Sequence, residues 1–186
     1  MKRRCLSPIV ILWLISFFVF PIECDALLKQ SDSLLGTVVE VTIANPDETK
    51  TRRGMDAVLR EIRRIEELMS FYRPESQVSR INRDAYAGGV RLNPEVFALL
   101  KDAQLLSELT QGAFDITFVP LWQLWGRCAK ERRLPSPKEI YQAKALVDYR
   151  KLRLWEETQE VGLDLRGMQV NLGGIAKAMP WPELLR

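Results

Sequence analysis

Val39, Val41 and Ile43 alternate with Glu40 and Thr42. This period of two predicts a half-buried strand over residues 34–44, ended by the turn Asn45-Pro46-Asp47. The period then changes. Met55, Val58, Leu59, Ile62, Ile65, Leu68 and Met69 recur at steps of three and one, the stripe of a long amphipathic helix over residues 49–69. Arg60, Arg63, Arg64, Glu66 and Glu67 fall on or near its other face, and their mixed signs read as a solvated surface rather than a nucleic-acid patch. A second helix starts at Asn93-Pro94, a capping residue followed by proline at the first helical position. It runs through Val96, Leu99, Leu100, Ala103, Leu106 and Leu109, with Gly112 as its stop. A third starts at the capping box Ser136-Pro137-Lys138-Glu139 and ends near Leu146. Residues 152–155 and 161–165 flank a Glu-rich turn and predict a hairpin. Val170-Asn171-Leu172 reads as a last strand running into Gly173-Gly174. One strand, three helices and then three strands argue for an α+β fold, a mostly antiparallel sheet flanked by helices, rather than a doubly wound sheet.

Composition narrows the chemistry. The 186 residues are 47% apolar and 27% charged, which suits a single globular domain. A net charge of +3 is too small to argue for nucleic acid by field alone. The chain has no histidine, which excludes Ser-His-Asp and Cys-His catalysis and imidazole metal ligands within it. Cys5, Cys24 and Cys128 lie far apart without a CxxC, against zinc or iron–sulfur binding. Lys2, Arg3 and Arg4 precede an apolar run over residues 9–20, and Pro21, Glu23 and Asp25 end it. That run is too short to span a bilayer. It reads as an export signal over residues 1–26, leaving 27–186 as the mature domain. Cys24 offers a lipid-anchor option, although Pro21-Ile22-Glu23 is a poor lead-in. Cys128 is then unpaired, and the fold must rest on a packed core.

Four segments do not look like plain core. Leu35-Gly36-Thr37 places a glycine at a strand entry, as a bulge or a close ligand approach. Residues 69–82 form a polar loop in which Tyr72 could stack on a planar ligand and Arg73 could meet an anion. In Gly112-Ala113-Phe114-Asp115-Ile116-Thr117, a carboxylate flanked by apolar residues either caps a turn or holds a ligand. Trp122 and Trp125 follow it, as core or as a wall beside an aromatic ligand, core being the simpler reading. Asn171-Leu172-Gly173-Gly174-Ile175-Ala176-Lys177 pairs exposed backbone with an ammonium group, suited to a phosphate. It is neither a Walker loop nor G-x-G-x-x-G.

In this order and spacing the four segments resemble the FAD:protein FMN transferase (ApbE-like) family. That family reads Met-Gly-Thr, Met-Ser-x-Tyr…Ser…Asn, Gly-x-Phe-Asp-x-Thr…Pro-Leu…Leu-Trp-Gly and Asp-Leu-Gly-Gly-Ile-Ala-Lys-Gly. The resemblance implies binding of FAD and Mg²⁺. A Thr or Ser hydroxyl of an acceptor protein attacks the pyrophosphate, FMN is left attached as a phosphoester, and AMP is released. It implies FAD contacts at Leu35, where the family has Met, at Tyr72, at Ala113, Phe114 and Asp115, at Asn171, where Asp is usual, and at Lys177. Gly174 falls at a Mg²⁺ position, where only its carbonyl could serve. Acceptors would be flavoprotein subunits of membrane electron-transfer complexes, and the location the periplasm or the outer face of the bacterial inner membrane. After Lys177 the likeness stops: Pro180 and Pro182 stand where the family continues into a helix, and the chain ends at Arg186. The expectation is a C-terminally truncated flavin transferase with little turnover of its own, because the remaining Mg²⁺ ligands would lie in the missing half. The alternative is a non-catalytic FAD- or protein-binding remnant.

Overall fold

The structure, a computed structural model, describes residues 26–34 and 36–177. The signal-peptide reading, Cys5, Cys24 and Leu35 lie outside those residues. Strands β1 (Ala26–Leu34) and β2 (Thr37–Asn45) form an antiparallel hairpin in which Leu34 faces Thr37. Its two-residue turn includes Gly36 at φ +70°, a left-handed conformation that glycine adopts without a Cβ penalty. Val39, Val41 and Ile43 turn to one face, as the alternation predicts, and with Leu28 and Leu34 they cover the first half of helix α1 (Glu48–Met69). Asp47 caps α1, its side chain accepting from the Lys50 N–H at 3.0 Å. Met55, Leu59 and Ile62 bury against the hairpin.

At about 1.5 Å per residue α1 is long enough to serve two cores. Its second half, through Ile65 and Met69, enters the main core. There it meets α2 (Gln77–Asp84), α3 (Pro94–Leu109) and a three-stranded antiparallel sheet. In that sheet β5 (Glu160–Leu163) lies between β3 (Val90–Arg91) and β4 (Leu152–Trp155). Val78, Ile81, Val96, Leu99, Leu100 and Val161 are fully buried. Helices α4 (Val119–Lys130) and α5 (Pro137–Lys144) pack together on the side, and α5 carries the predicted capping box in full. A short α6 (Gly173–Ala176) closes the described chain. Cys128 is a buried free thiol in α4. No helix among the described residues is long and apolar enough to cross a membrane.

The architecture is α+β with antiparallel sheets and flanking helices, but several elements differ from the sequence reading. β1 is a strand although Lys29-Gln30-Ser31-Asp32-Ser33 is polar, because nine residue pairs tie it to β2. Residues 77–84 are helical although 69–82 read as loop: Val78 and Ile81 repeat at helical spacing behind the Ser76 cap. The apolar stretch after Asp115 is helix α4, with Leu124 and Cys128 on its buried side. Trp122 and Trp125, read more simply as core, are 38% and 49% exposed. Residues 170–172 run beside other chain without forming a ladder strand, and β5 ends at Leu163 rather than Leu165. Two consecutive left-handed residues stop α3, Gln111 at φ 54° and the expected Gly112 at φ 83°. The Gly112 N–H then reaches back to the Ser107 carbonyl at 2.8 Å, the Schellman arrangement.

Candidate functional site

Three segments distant in sequence meet around two adjoining clefts. The first is the turn after α1. The Ser76 hydroxyl donates to the Ser70 carbonyl at 2.5 Å and accepts from the Ser79 N–H at 3.0 Å, so one side chain holds the turn and caps α2. The Tyr72 N–H donates to Ser70 Oγ at 3.2 Å. The Tyr72 ring is 69% exposed and stands perpendicular to Phe71, centroids 5.5 Å apart. Arg73, a candidate anion contact, instead faces Glu66 at 3.7 Å. Glu66, assigned by periodicity to or near the solvated face, is mostly covered there, with 18% of its side chain exposed.

The second segment is the loop between α3 and α4. Asp115 Oδ1 accepts from the Thr117 N–H at 2.8 Å and the Thr117 hydroxyl at 2.7 Å, and Oδ2 accepts from the Tyr149 N–H at 3.0 Å. The buried Thr117 Oγ1 accepts in turn from the Asp148 N–H at 3.0 Å. This carboxylate therefore caps a turn and ties the loop to the 3-10 turn at Tyr149–Lys151. The turn-capping reading of its sequence is thus met, and the same carboxylate lines the second of the two clefts. Asp148 itself is held below the ordinary carboxylate range, chiefly by its hydrogen bond from the Arg150 guanidinium.

The third segment is residues 170–177. Asn82 clamps it from α2: Asn82 Nδ2 donates to the Val170 carbonyl at 2.9 Å, and the Val170 N–H donates to Asn82 Oδ1 at 2.7 Å. The next residue continues the seam, the Asn171 N–H donating to the Ile116 carbonyl at 2.9 Å. Asn171 Oδ1 accepts from the Gly173 N–H at 2.8 Å, which fixes the orientation of the carboxamide.

One cleft, of about 240 Å³, is lined by Gly36, Ser70, Tyr72, Gly173 and Lys177 among others. The adjoining one, of about 350 Å³, is lined by Gly112, Ala113, Phe114, Asp115 and Val147. Phe118, Asn171 and Gly174 line both and form the ridge between them. Every described candidate residue thus lies on one of two contiguous walls: Tyr72 and Lys177 on the first, Ala113, Phe114 and Asp115 on the second, Asn171 and Gly174 on the ridge. A Cβ on Gly174 would meet nothing within 4 Å, so the ridge is low there. Sequence reasoning missed Phe118, Val147 and the Asn82 clamp. Phe118 directly follows the Gly112–Thr117 segment, but nothing local marks Val147. A larger cavity of about 720 Å³ lies at the β4–β5 turn, lined by Trp155, Glu156, Glu157 and Glu160. It contains none of the candidates, and its carboxylates are the wrong sign for phosphate.

A model of the ApbE family matches residues 35–181, a span that includes all three cleft segments. The chain belongs to the ApbE family. The FAD:protein FMN transferase of Klebsiella pneumoniae (strain 342) is 32% identical over 144 residues, 77% of this chain and 44% of that protein. The FAD:protein FMN transferase of Vibrio cholerae is 27% identical over 150 residues, 79% of this chain and 44% of that one. The crystal structure of the ApbE protein of Thermotoga maritima superposes with a TM-score of 0.73 at 31% identity, covering 81% of this chain and 48% of that chain. A variant of the Vibrio cholerae flavin transferase ApbE gives 0.69 at 26% identity, covering 81% and 52%. The chain spans about half the length of the ApbE relatives it matches.

A dinucleotide fits the character of the two clefts: an exposed aromatic ring and an ammonium group in one, a second compartment in the other, and glycine on the ridge between. Mg²⁺ finds no acidic cluster among the described residues. Among the described residues there is no group of three or more Asp, Glu, Cys or His able to hold a metal. The Asp115 carboxylate already accepts three protein hydrogen bonds, and Mg²⁺ takes six oxygens in near-octahedral array, commonly one or two carboxylates with waters and substrate phosphates.

Proposed function

We propose that this chain binds FAD across the two clefts and takes part in FAD:protein FMN transfer. In that reaction the hydroxyl oxygen of a Thr or Ser on an acceptor protein attacks the FMN phosphorus. The P–O bond to the AMP phosphate breaks, AMP leaves with the bridging oxygen, and the hydroxyl proton passes to solvent or a base. The observation that carries the reading is the meeting of three ApbE-matched segments around two clefts that share the ridge Phe118, Asn171 and Gly174. Tyr72 would offer its ring to the planar flavin and Lys177 would offset phosphate charge. Asp115 would hold the wall in place. No step is assigned to Mg²⁺, for which the described residues supply no acidic cluster. Acceptors of the kind found in membrane electron-transfer complexes, and export to the periplasm or the outer face of the inner membrane, complete the proposal. The basic start and apolar run of residues 2–20 support export.

Titration of the full chain with FAD, followed by quenching of flavin fluorescence, tests the binding step. Tyr72→Ala and Lys177→Ala should each weaken FAD about tenfold, the equivalent of ~1.4 kcal/mol for a stacking or charge contact. Arg60→Ala, on the exposed side of α1, should leave the curve unchanged. Three coincident curves would refute the site. FAD binding without AMP release or covalent flavin on an acceptor would favour a flavin-binding chain over a transferring one. Intact mass from an exporting host tests the signal, and a retained Met1 would count against it.

A further inference from the structure

Tyr72 lines the first cleft, yet its ring is mostly in solvent. A ring so exposed samples its rotamers freely unless something beside it sets the angle. That neighbour is Trp122, fifty residues later in the chain. The Tyr72 and Trp122 centroids are 6.3 Å apart at 70°. Trp122 is also edge-on to Phe71, at 5.4 Å and 77°, and Phe71 is perpendicular to Tyr72. The three rings form a closed triangle of edge-to-face contacts, the arrangement aromatic quadrupoles favour. Phe71 is the fixed corner: it packs on the main core, and its carbonyl accepts from Ser79 Oγ at 3.4 Å. Trp122 also reaches Phe118, four residues earlier on the same side of α4, at 6.5 Å and 56°.

Trp122 thus meets all three aromatic rings that line the first cleft, Phe71, Tyr72 and Phe118, while lining neither cleft itself. It is 38% exposed, whereas the buried residues of α4 are Val119, Leu124 and Cys128. An indole placed outside the core, with ring contacts to three other aromatics, does little for the fold and much for the geometry of Tyr72 and Phe118. We infer that Trp122 is a positioning residue of the cleft, which holds Tyr72 and Phe118 as the two sides of a slot selective for a flat, fused-ring ligand. The inference rests on the flavin-binding reading and adds to it the residue that sets ring selectivity.

The test compares FMN, FAD and ADP binding to the full chain and five variants. Trp122→Leu should weaken FMN and FAD about tenfold and leave ADP within twofold, because only the ring-bearing ligands use the slot. Trp122→Phe should restore most of the loss. Trp125→Leu, which removes an exposed indole with no ring contact to this group among the described residues, should change nothing. In a Tyr72→Leu background, Trp122→Leu should cost FMN clearly less than the tenfold it costs in wild type, since part of its action runs through that ring and only the Phe118 side remains. Thermal melting checks each variant, and should Trp122→Leu not fold, Trp122→Phe against wild type still decides, with a loss of two- to threefold for FMN and none for ADP expected. Wild-type affinity for FMN in Trp122→Leu, or equal losses for FMN and ADP, would overturn the inference alone. A wild-type chain that binds neither FMN nor FAD would overturn the flavin reading and this role with it.

Discussion

The Asn82 clamp makes a quantitative prediction. Val170 is fully buried, and both its backbone groups are satisfied by one side chain 88 positions away. Asn82→Ala removes both partners at once. A buried polar group left without a partner costs about 1–3 kcal/mol, and Ala leaves room for water to recover part of it, so the loss should be about 2–4 kcal/mol. Asn82→Asp is the sharper test because it conserves shape. The carboxylate still accepts from the Val170 N–H, but it cannot donate at neutral pH and sets an anionic oxygen against the Val170 carbonyl. It should therefore destabilise at least as much as Ala. Were Asn82 only filling space, Asp would be nearly neutral. Urea unfolding at pH 7 measures the difference. An Asn82→Asp variant within about 0.5 kcal/mol of wild type, less than one ordinary hydrogen bond, would refute the clamp. Because Asn171 follows directly and lines both clefts, the same variants should weaken FAD binding below the unfolding midpoint.

Other outcomes follow from single positions. Gly174 lies in α6 with open space beyond its Cα, so Gly174→Ala should hold or raise the melting temperature, Ala exceeding Gly by up to ~1 kcal/mol in a helix. Gly174→Leu should block the ridge and weaken FAD, and wild-type affinity in that variant would place the ligand elsewhere. Gly162→Ala would bring a Cβ within 2.7 Å of Trp155 Cη2. It should cost about 1–3 kcal/mol by overpacking and red-shift the indole emission, and an unchanged denaturation curve would contradict this. The Glu139 carboxyl is pushed down to about 2, first by Arg133 and then by Ser136. A depressed value means its stabilisation of the α5 start is present above about 4.5 and is lost as pH falls through about 2. NMR titration should show that midpoint in wild type and its return toward the ordinary range in Arg133→Gln. A wild-type midpoint near 4.5 would refute the network.

What the sequence disclosed depended on how local the signal was. α1, α3 and α5 announce themselves through periodicity and caps. The Ser136–Glu139 box forms both its bonds, and Asn93 caps α3 with Pro94 behind it. β1 carries no such pattern, since its polar centre becomes strand only by pairing with β2. α2 and α4 were hidden because each presents only two or three buried positions, too few for a period to emerge from a polar or an aromatic stretch. The cleft walls were legible as motifs resembling a family. What joins the walls was not: the Asn82–Val170, Asn171–Ile116 and Asp115–Tyr149 bonds span 88, 55 and 34 positions, and no local rule reports a side chain that satisfies a distant backbone.

Asp115 shows how that joining reshapes a functional reading. A carboxylate beside a suspected ligand invites the role of direct contact, and its chemistry permits one. Here its four acceptor directions are three-quarters used, two by Thr117 and one by the Tyr149 amide. Removing the carboxylate would release the loop that presents Ala113 and Phe114 to the second cleft, and would free the segment leading to Phe118 on the ridge. Thr117 would lose the acceptor for its hydroxyl while its oxygen still faced the Asp148 N–H. The expected weakening of FAD binding on losing Asp115 therefore belongs first to loop geometry. The same logic runs through Ser76, Asn82 and Asn171. Each is a short polar side chain that satisfies backbone rather than facing outward, and together they convert three irregular segments into walls of fixed separation. On the FAD-binding proposal, the groups left to meet the ligand are those that satisfy no backbone: the Tyr72 ring, the Lys177 ammonium and the bare backbone at Gly174.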